Sequence, residues 1–263
     1  LARYSQNRII EGVYSGEYSK YKLPEELFLY TYENLMSEVK KGFGEDVEFE
    51  PGSTREKLFD DFNFNVNTFS GAKTFQEISD MSKFVFDEKG FKISFKQFKE
   101  LAKPLDDTFN KVWLRTERDT SFGQAQSAES WLQYDAEKEI FPYLKYQTVD
   151  DERVRHDHAA WDNLVFPVEH EFWDTRMPLN GYNCRCRVIQ LTEGETSSLK
   201  GVPKNEEKEF ENNAGKTGEI FTSKHPYYKV KKEDLPLTKN NFGLGFVSYN
   251  VPKELRKKAE QKE

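Results

Sequence analysis

DERVRHDHAAW at residues 151–161 and PLNGYNCRCRV at residues 178–188 decide how this chain reads. Three of its four histidines and both of its cysteines fall between residues 151 and 188. Thiols and imidazoles scattered at random would not collect so tightly. The same stretch holds Trp161, Trp173, Pro167 and Pro178, so it is an aromatic, proline-punctuated unit between flanks rich in lysine and glutamate.

Around this unit the hydrophobic pattern is that of short strands. Residues 141–149 alternate aromatic or aliphatic with polar side chains, which is the period of a half-buried strand. The brief apolar run at 163–168 and the stretch 185–191 offer two more. Upstream the period is helical. Leu23-Pro24-Glu25-Glu26 places a proline and acids at a helix N-terminus, and Leu27, Phe28, Leu35 and Val39 recur along one face until Gly42 and Gly44. Ser53-Thr54-Arg55-Glu56 resembles a capping box, and with the periodic run from Thr74 to Phe86 it predicts two shorter helices. Ser94 caps a further helix through Phe95, Phe98 and Leu101, and Pro104 is expected to break or kink it before a second helical stretch over 105–118. The many Phe positions read as core.

These patterns give an α+β class: a helical N-terminal half, then a small sheet-bearing, loop-rich module. Beyond Thr192 the chain turns polar and charged, so 192–263 reads as a charged C-terminal arm, with 253–263 a solvated helix or frayed tail. The expected boundaries are 1–104, 105–191 and 192–263.

Composition narrows the function classes. At 263 residues with 22 Phe, the chain can bury a substantial core. A net charge of −7 and a pI near 5.4 argue against a protein that coats nucleic acid, since phosphate binding is driven by lysine and arginine. With 32% charged residues and a mean hydropathy of −0.85, no apolar run approaches a membrane span, and no signal-peptide core stands at residues 1–8, so no membrane partner and synthesis in the cytosol are expected. Two cysteines one residue apart are a poor disulfide framework, so no oxidising compartment is implied.

Thiolate and imidazole are the ligands zinc prefers, and a closed site would add folding energy to a loop-rich module. Cys184 and Cys186, one residue apart in a strand, would share a face and supply two ligands. His158 is the first choice for a third. His156, His170, Asp151 and Asp162 are the candidates for a fourth. The competing readings are thiols acting as small buried hydrophobes beside hydrogen-bonded histidines, a strained disulfide, and a nucleophilic cysteine activated by a histidine. Zinc deaminases pair His-x-Glu with Pro-Cys-x-x-Cys, and here the elements are His156-Asp157-His158 and Cys184-Arg185-Cys186, so deamination is not expected. There is no phosphate-binding glycine loop, no Gly-x-Ser-x-Gly and no His-Glu-x-x-His.

The ordered elements Arg155-His156-Asp157-His158, Phe166-Pro167-Val168, Phe172-Trp173 and Asn183-Cys184-Arg185-Cys186-Arg187 resemble the signature of phage Mu F-type minor head proteins. Leu114-Arg115-Thr116-Glu117 is similar to the helix that precedes that signature, which extends the likeness over roughly 105–191. The resemblance implies a phage or prophage head-morphogenesis protein with portal and capsid proteins as partners. It also implies a place in the virion after assembly in the host bacterial cytoplasm, with a role in DNA packaging or delivery, and so DNA contact, as a further expectation. Under it His158, Cys184 and Cys186 hold the module together and no enzyme activity is expected; zinc is the candidate cofactor on the ligand chemistry given above. The alternative is a metal-dependent enzyme or effector acting on nucleic acid, which would need an open coordination position and a general base.

Overall fold

The computed structural model describes residues 4–44 and 49–244, so the tail expected at 253–263 lies outside the described residues. Its longer elements are α1 (Gln6–Ser15), α2 (Glu25–Phe43), α3 (Thr54–Ser82), α4 (Phe95–Asp107), a π-helical turn (Thr108–Trp113) and α5 (Leu114–Ala136). There follow β1 (Tyr143–Gln147), α6 (His156–Trp161), β2 (Val165–Pro167), α7 (Phe172–Arg176) and β3 (Arg187–Leu191), then the one-turn helices α8 (Ala214–Thr217) and α9 (Leu235–Thr238) among short 3-10 turns. The class is α+β, as the patterning predicts.

The chain divides into two compact units, and neither is one continuous stretch. The first takes its described residues from 4–37, 63–118 and 225–244, the second from 38–44, 49–62 and 119–224. This partition differs from the three consecutive segments expected from the sequence.

In the first unit α1 packs on α4, with the Tyr14 ring 5.1 Å from Phe95 and 5.4 Å from Phe98. Ser94 caps α4 as expected, its hydroxyl accepting from the Gln97 amide at 3.3 Å while the Gln97 side chain accepts from the Ser94 amide at 3.1 Å. Pro104 does not end this helix. It lies inside α4, and the backbone widens four residues later into the π-helical turn before continuing as α5. The two helices expected over 54–86 are also one. From Val66 to Phe75 every position of α3 is buried, so the helix has no solvated face and no amphipathic stripe to announce it. Its polar residues bond within the helix instead: the hydroxyls of Thr68, Ser70 and Thr74 donate to the carbonyls of Phe64, Val66 and Ser70 at 2.8–2.9 Å. The Asn241 side chain packs against Gly71 of α3, where a Cβ would collide with it, and Asn241 donates to the Asn67 side chain at 2.8 Å.

A charged cluster lies inside this unit. Lys73 is fully buried and paired with the buried Glu117, and it also donates to the Phe109 carbonyl of the π-helical turn at 2.8 Å. Tyr227 donates to Glu117 at 2.9 Å. Glu77 accepts from Asn110 at 2.8 Å, and Tyr4 bonds Asp106. Burial, and then the nearby Asp106, push the Glu77 carboxyl well above its ordinary range.

The second unit is built on the sheet order β2-β1-β3, antiparallel throughout, with Leu144 opposite Phe166 on one side and Gln190 on the other. The three strands fall within the alternating stretch 141–149, the apolar run 163–168 and the stretch 185–191. Leu144 and Tyr146 turn their side chains into a core of Trp131, Trp161, Phe166, Val168, Phe172, Trp173 and Met177. Residues 192–224 are not a free arm. Ser197 donates its amide to the Val165 carbonyl at 2.8 Å, Pro203 accepts from the Trp161 indole at 3.0 Å, and the Phe210 ring meets Tyr182 edge-on at 4.8 Å. Asn213 donates to the Trp173 carbonyl at 3.0 Å. Polar composition concealed these contacts, because the segment is fixed mainly by side-chain to backbone bonds rather than by a periodic apolar face. In the first unit Tyr227, Tyr228, Leu235 and Phe242 are likewise buried.

Candidate functional site

The second unit brings His158, Cys184 and Cys186 together. Arg155 precedes α6 in an extended conformation and is held by Glu207 at 2.8 Å and by the Tyr182 carbonyl at 2.7 Å. Those bonds fix where the helix starts and hence where His158, in its first turn, points. The imidazole is 2% exposed and stacks on Trp161 with the ring centroids 4.9 Å apart.

Each ring nitrogen has its own neighbours. Nε2 lies 3.3 Å from the Asn180 carbonyl, an acceptor, so it carries the proton in the assigned tautomer. The lone pair of Nδ1 is then directed at the sulfurs, 3.6 Å from Cys186 and 3.8 Å from Cys184. Asn205 donates to the same Asn180 carbonyl at 3.0 Å. The buried Asp157 carboxylate accepts from the backbone amides of His158 and Glu206, both at 2.9 Å, and ties α6 to the segment that follows β3.

The cysteines stand in the extended lead-in to β3 rather than in the strand itself. The turn that delivers them is closed by the Cys184 amide on the Gly181 carbonyl at 3.1 Å, and Asn183 takes its left-handed position with φ 58°, a conformation asparagine tolerates better than most residues. Alternation then turns both sulfurs inward and Arg185 outward, where it makes a two-pronged bond with Asp151 at 2.5 and 2.7 Å.

The electrostatics follow from this crowding. A hydrogen bond from Cys186 lowers the Cys184 thiol to about 4 against the opposing effect of burial, with help from His158 and from the backbone amides of Asn180 and Cys186. The Cys186 thiol moves the other way, raised by its bond to Cys184 and by burial. Their mutual bond thus pushes the two thiols in opposite directions. Burial disfavours the His158 imidazolium, yet the Cys184 sulfur and Asp157 together raise its pKa. Burial, and then the charge on Cys184, push the Tyr146 phenol well above its ordinary value. Cys186 also lines a cavity of about 200 Å³ together with Ser127, Ser130, Tyr134, Met177 and Val188.

The four candidates for a further ligand do not join the cluster. His156 is exposed at the start of α6. His170 stacks on Phe166 at 4.4 Å and accepts the Phe172 amide at 3.1 Å. Asp151 is engaged by Arg185, and Asp162 accepts from the Thr148 amide at 2.7 Å. Among the described residues, His158, Cys184 and Cys186 are the one group of three or more histidine, cysteine or acidic side chains with metal-ligating spacing. Sequence reading passed over Asn180, Asp157 and Glu207, which position the cluster. The Asn180-Gly181 pair signals only a turn, and Glu207 sits in a stretch that looks solvated.

Residues 91–189 match the family described as Phage Mu protein F like protein, and all three cluster residues lie inside that span. The chain is similar to the putative capsid assembly protein F of Escherichia phage Mu, with 38% identity over 80 residues, or 30% of this chain and 17% of that protein. It is also similar to the Mu-like prophage FluMu F protein of Haemophilus influenzae, with 34% identity over 80 residues, or 30% of this chain and 18% of that protein. The chain thus spans less than a fifth of the length of these relatives. No solved structure matches it.

Proposed function

We propose, from the Mu F-like segment at residues 91–189, that this chain works in phage or prophage head morphogenesis, as a capsid assembly component near the portal. The observation that carries this is the family match itself, which takes in the His158, Cys184 and Cys186 cluster and the aromatic core around it. The relative from phage Mu is named for capsid assembly, which agrees with such a role.

In this reading the work is done by surfaces rather than by turnover. The second unit spends its unusual residues on cohesion: His158 lies among Trp161, Asn180 and the two sulfurs, and among the described residues no carboxylate completes a ligand group with them. Portal and capsid subunits are the partners, the virion is the destination, and assembly takes place in the host cytoplasm. Contact with DNA during packaging or delivery belongs to the same reading. Among the described residues no helix is long and apolar enough to cross a membrane.

Co-sedimentation of the purified chain with portal and procapsid from the same phage tests the proposal, alongside nuclease and deaminase assays on single- and double-stranded DNA and RNA. Association with either assembly and no turnover is the expected result. Metal-dependent turnover abolished by Cys184→Ser, with no association, would replace it with the enzyme reading.

A further inference from the structure

We infer that His158 Nδ1, Cys184 Sγ and Cys186 Sγ bind a zinc ion, with water as the fourth ligand. The two nitrogen-to-sulfur distances are those a tetrahedral ion requires. With Zn–S near 2.3 Å and Zn–N near 2.0–2.1 Å, a tetrahedral angle separates the nitrogen from each sulfur by about 3.6 Å. The structure places Nδ1 3.6 and 3.8 Å from the two sulfurs, and all three donor atoms lie within 4.8 Å of one another.

The surroundings support the same assignment. A ligating histidine ordinarily donates its second ring N–H to a carbonyl or carboxylate, which fixes the tautomer and aims the free lone pair at the metal. The Asn180 carbonyl stands in that place opposite Nε2. Two soft sulfurs and one imidazole select zinc over the hard cations that prefer oxygen.

The fourth position falls to water for want of a protein ligand: His158 is sealed in and both cysteines are half-buried. Among the described residues no further histidine, cysteine or acidic side chain comes within range to close it. The ion would join α6 to the lead-in of β3, segments 26–28 residues apart in the chain, with coordination bonds where regular secondary structure is sparse. This inference does not depend on a role in head assembly, and an open fourth position is equally what the metal-dependent enzyme reading requires, so the turnover assays above remain its separate test.

The experiment uses the full chain, reduced, stripped with chelator and then titrated with zinc or cobalt(II). Elemental analysis after dialysis should find one zinc per chain, and zinc should protect both thiols from a thiol-specific disulfide reagent until chelator is added. The cobalt(II) form should show sulfur-to-cobalt charge transfer together with the visible bands of a tetrahedral centre. Cys184→Ser and Cys186→Ser should each weaken zinc retention at least tenfold. Because either variant can fail to fold, the thiol-protection and cobalt measurements on the unmodified chain stand by themselves. Substoichiometric zinc, thiol reactivity indifferent to zinc, or a cobalt spectrum without sulfur charge transfer would each overturn the inference and leave a hydrogen-bonded thiol–imidazole cluster.

Discussion

Replacing Lys73 with methionine keeps the apolar stem and removes only the ammonium. Lys73 and Glu117 expose 1% and 4% of their side chains, so water cannot take over for a lost partner. Glu117 would keep one donor, the Tyr227 hydroxyl, and the Phe109 carbonyl would lose its bond from Lys73. Breaking a buried ion pair from one side costs about 3–5 kcal/mol, because a desolvated charge is left behind. For a unit of this size that lowers the melting temperature by roughly 12–22 °C. Urea unfolding followed by far-ultraviolet circular dichroism measures the loss. Adding Glu117→Gln to Lys73→Met should restore a large part of it, on the order of 2 kcal/mol, because the stranded charge goes too. A loss below about 1 kcal/mol for Lys73→Met, or no recovery in the double variant, would show that the pair is hydrated and that the interior of the first unit does not depend on it.

Trp173→Ala removes a fully buried indole that donates to the Pro167 carbonyl at 3.0 Å, and should cost the second unit about 3–5 kcal/mol; a variant melting at the parent temperature would show that the indole is dispensable to the core. His225 is buried and accepts the Tyr227 amide through Nδ1, and burial, together with Lys73 and Lys229, lowers its pKa to about 3. The unfolded chain therefore binds more protons between that value and the ordinary histidine range near 6.5, so stability is full above about pH 6.5 and falls by up to about 4 kcal/mol toward pH 3. His225→Asn, which keeps an acceptor for the Tyr227 amide, should flatten that acid limb in urea titrations run at a series of pH values, and an unchanged limb would place the acid sensitivity elsewhere.

Where one face of an element is wet, its pattern was plain in the sequence. Helix α2, the Ser94 cap and β1 fall where periodicity puts them, because each sorts apolar from polar residues, while β2 was legible as a brief apolar run and β3 lies within the stretch 185–191. The middle of helix α3 escaped for the opposite reason, so its two ends read as separate helices: a segment buried on every side shows no sorting, and Asn67, Thr68, Ser70, Lys73 and Thr74 imitate a loop. Pro104 looked like a stop because the π-helical turn that follows it has no sequence period of its own. In the cluster, the pairing of His158 with the two cysteines could be read from residue chemistry alone. The positions of His170 and Asp151 could not, since the Phe166 ring and the Arg185 guanidinium that hold them are known only from tertiary structure.

The discontinuous make-up of the two units sets a timetable for synthesis. On the ribosome, the second unit has all its segments once residue 224 has emerged, whereas the first must wait for 225–244 although its other two segments end at 118. The intervening stretch of roughly a hundred residues takes about 5–20 s to translate at typical rates. Through that interval Phe69 lacks Tyr228, Gly71 lacks Asn241 and Glu117 lacks the Tyr227 hydroxyl. The half-made unit offers its apolar interior to chaperones, proteases and neighbouring nascent chains, so the order in which segments are made is itself a hazard that expression of this protein must survive.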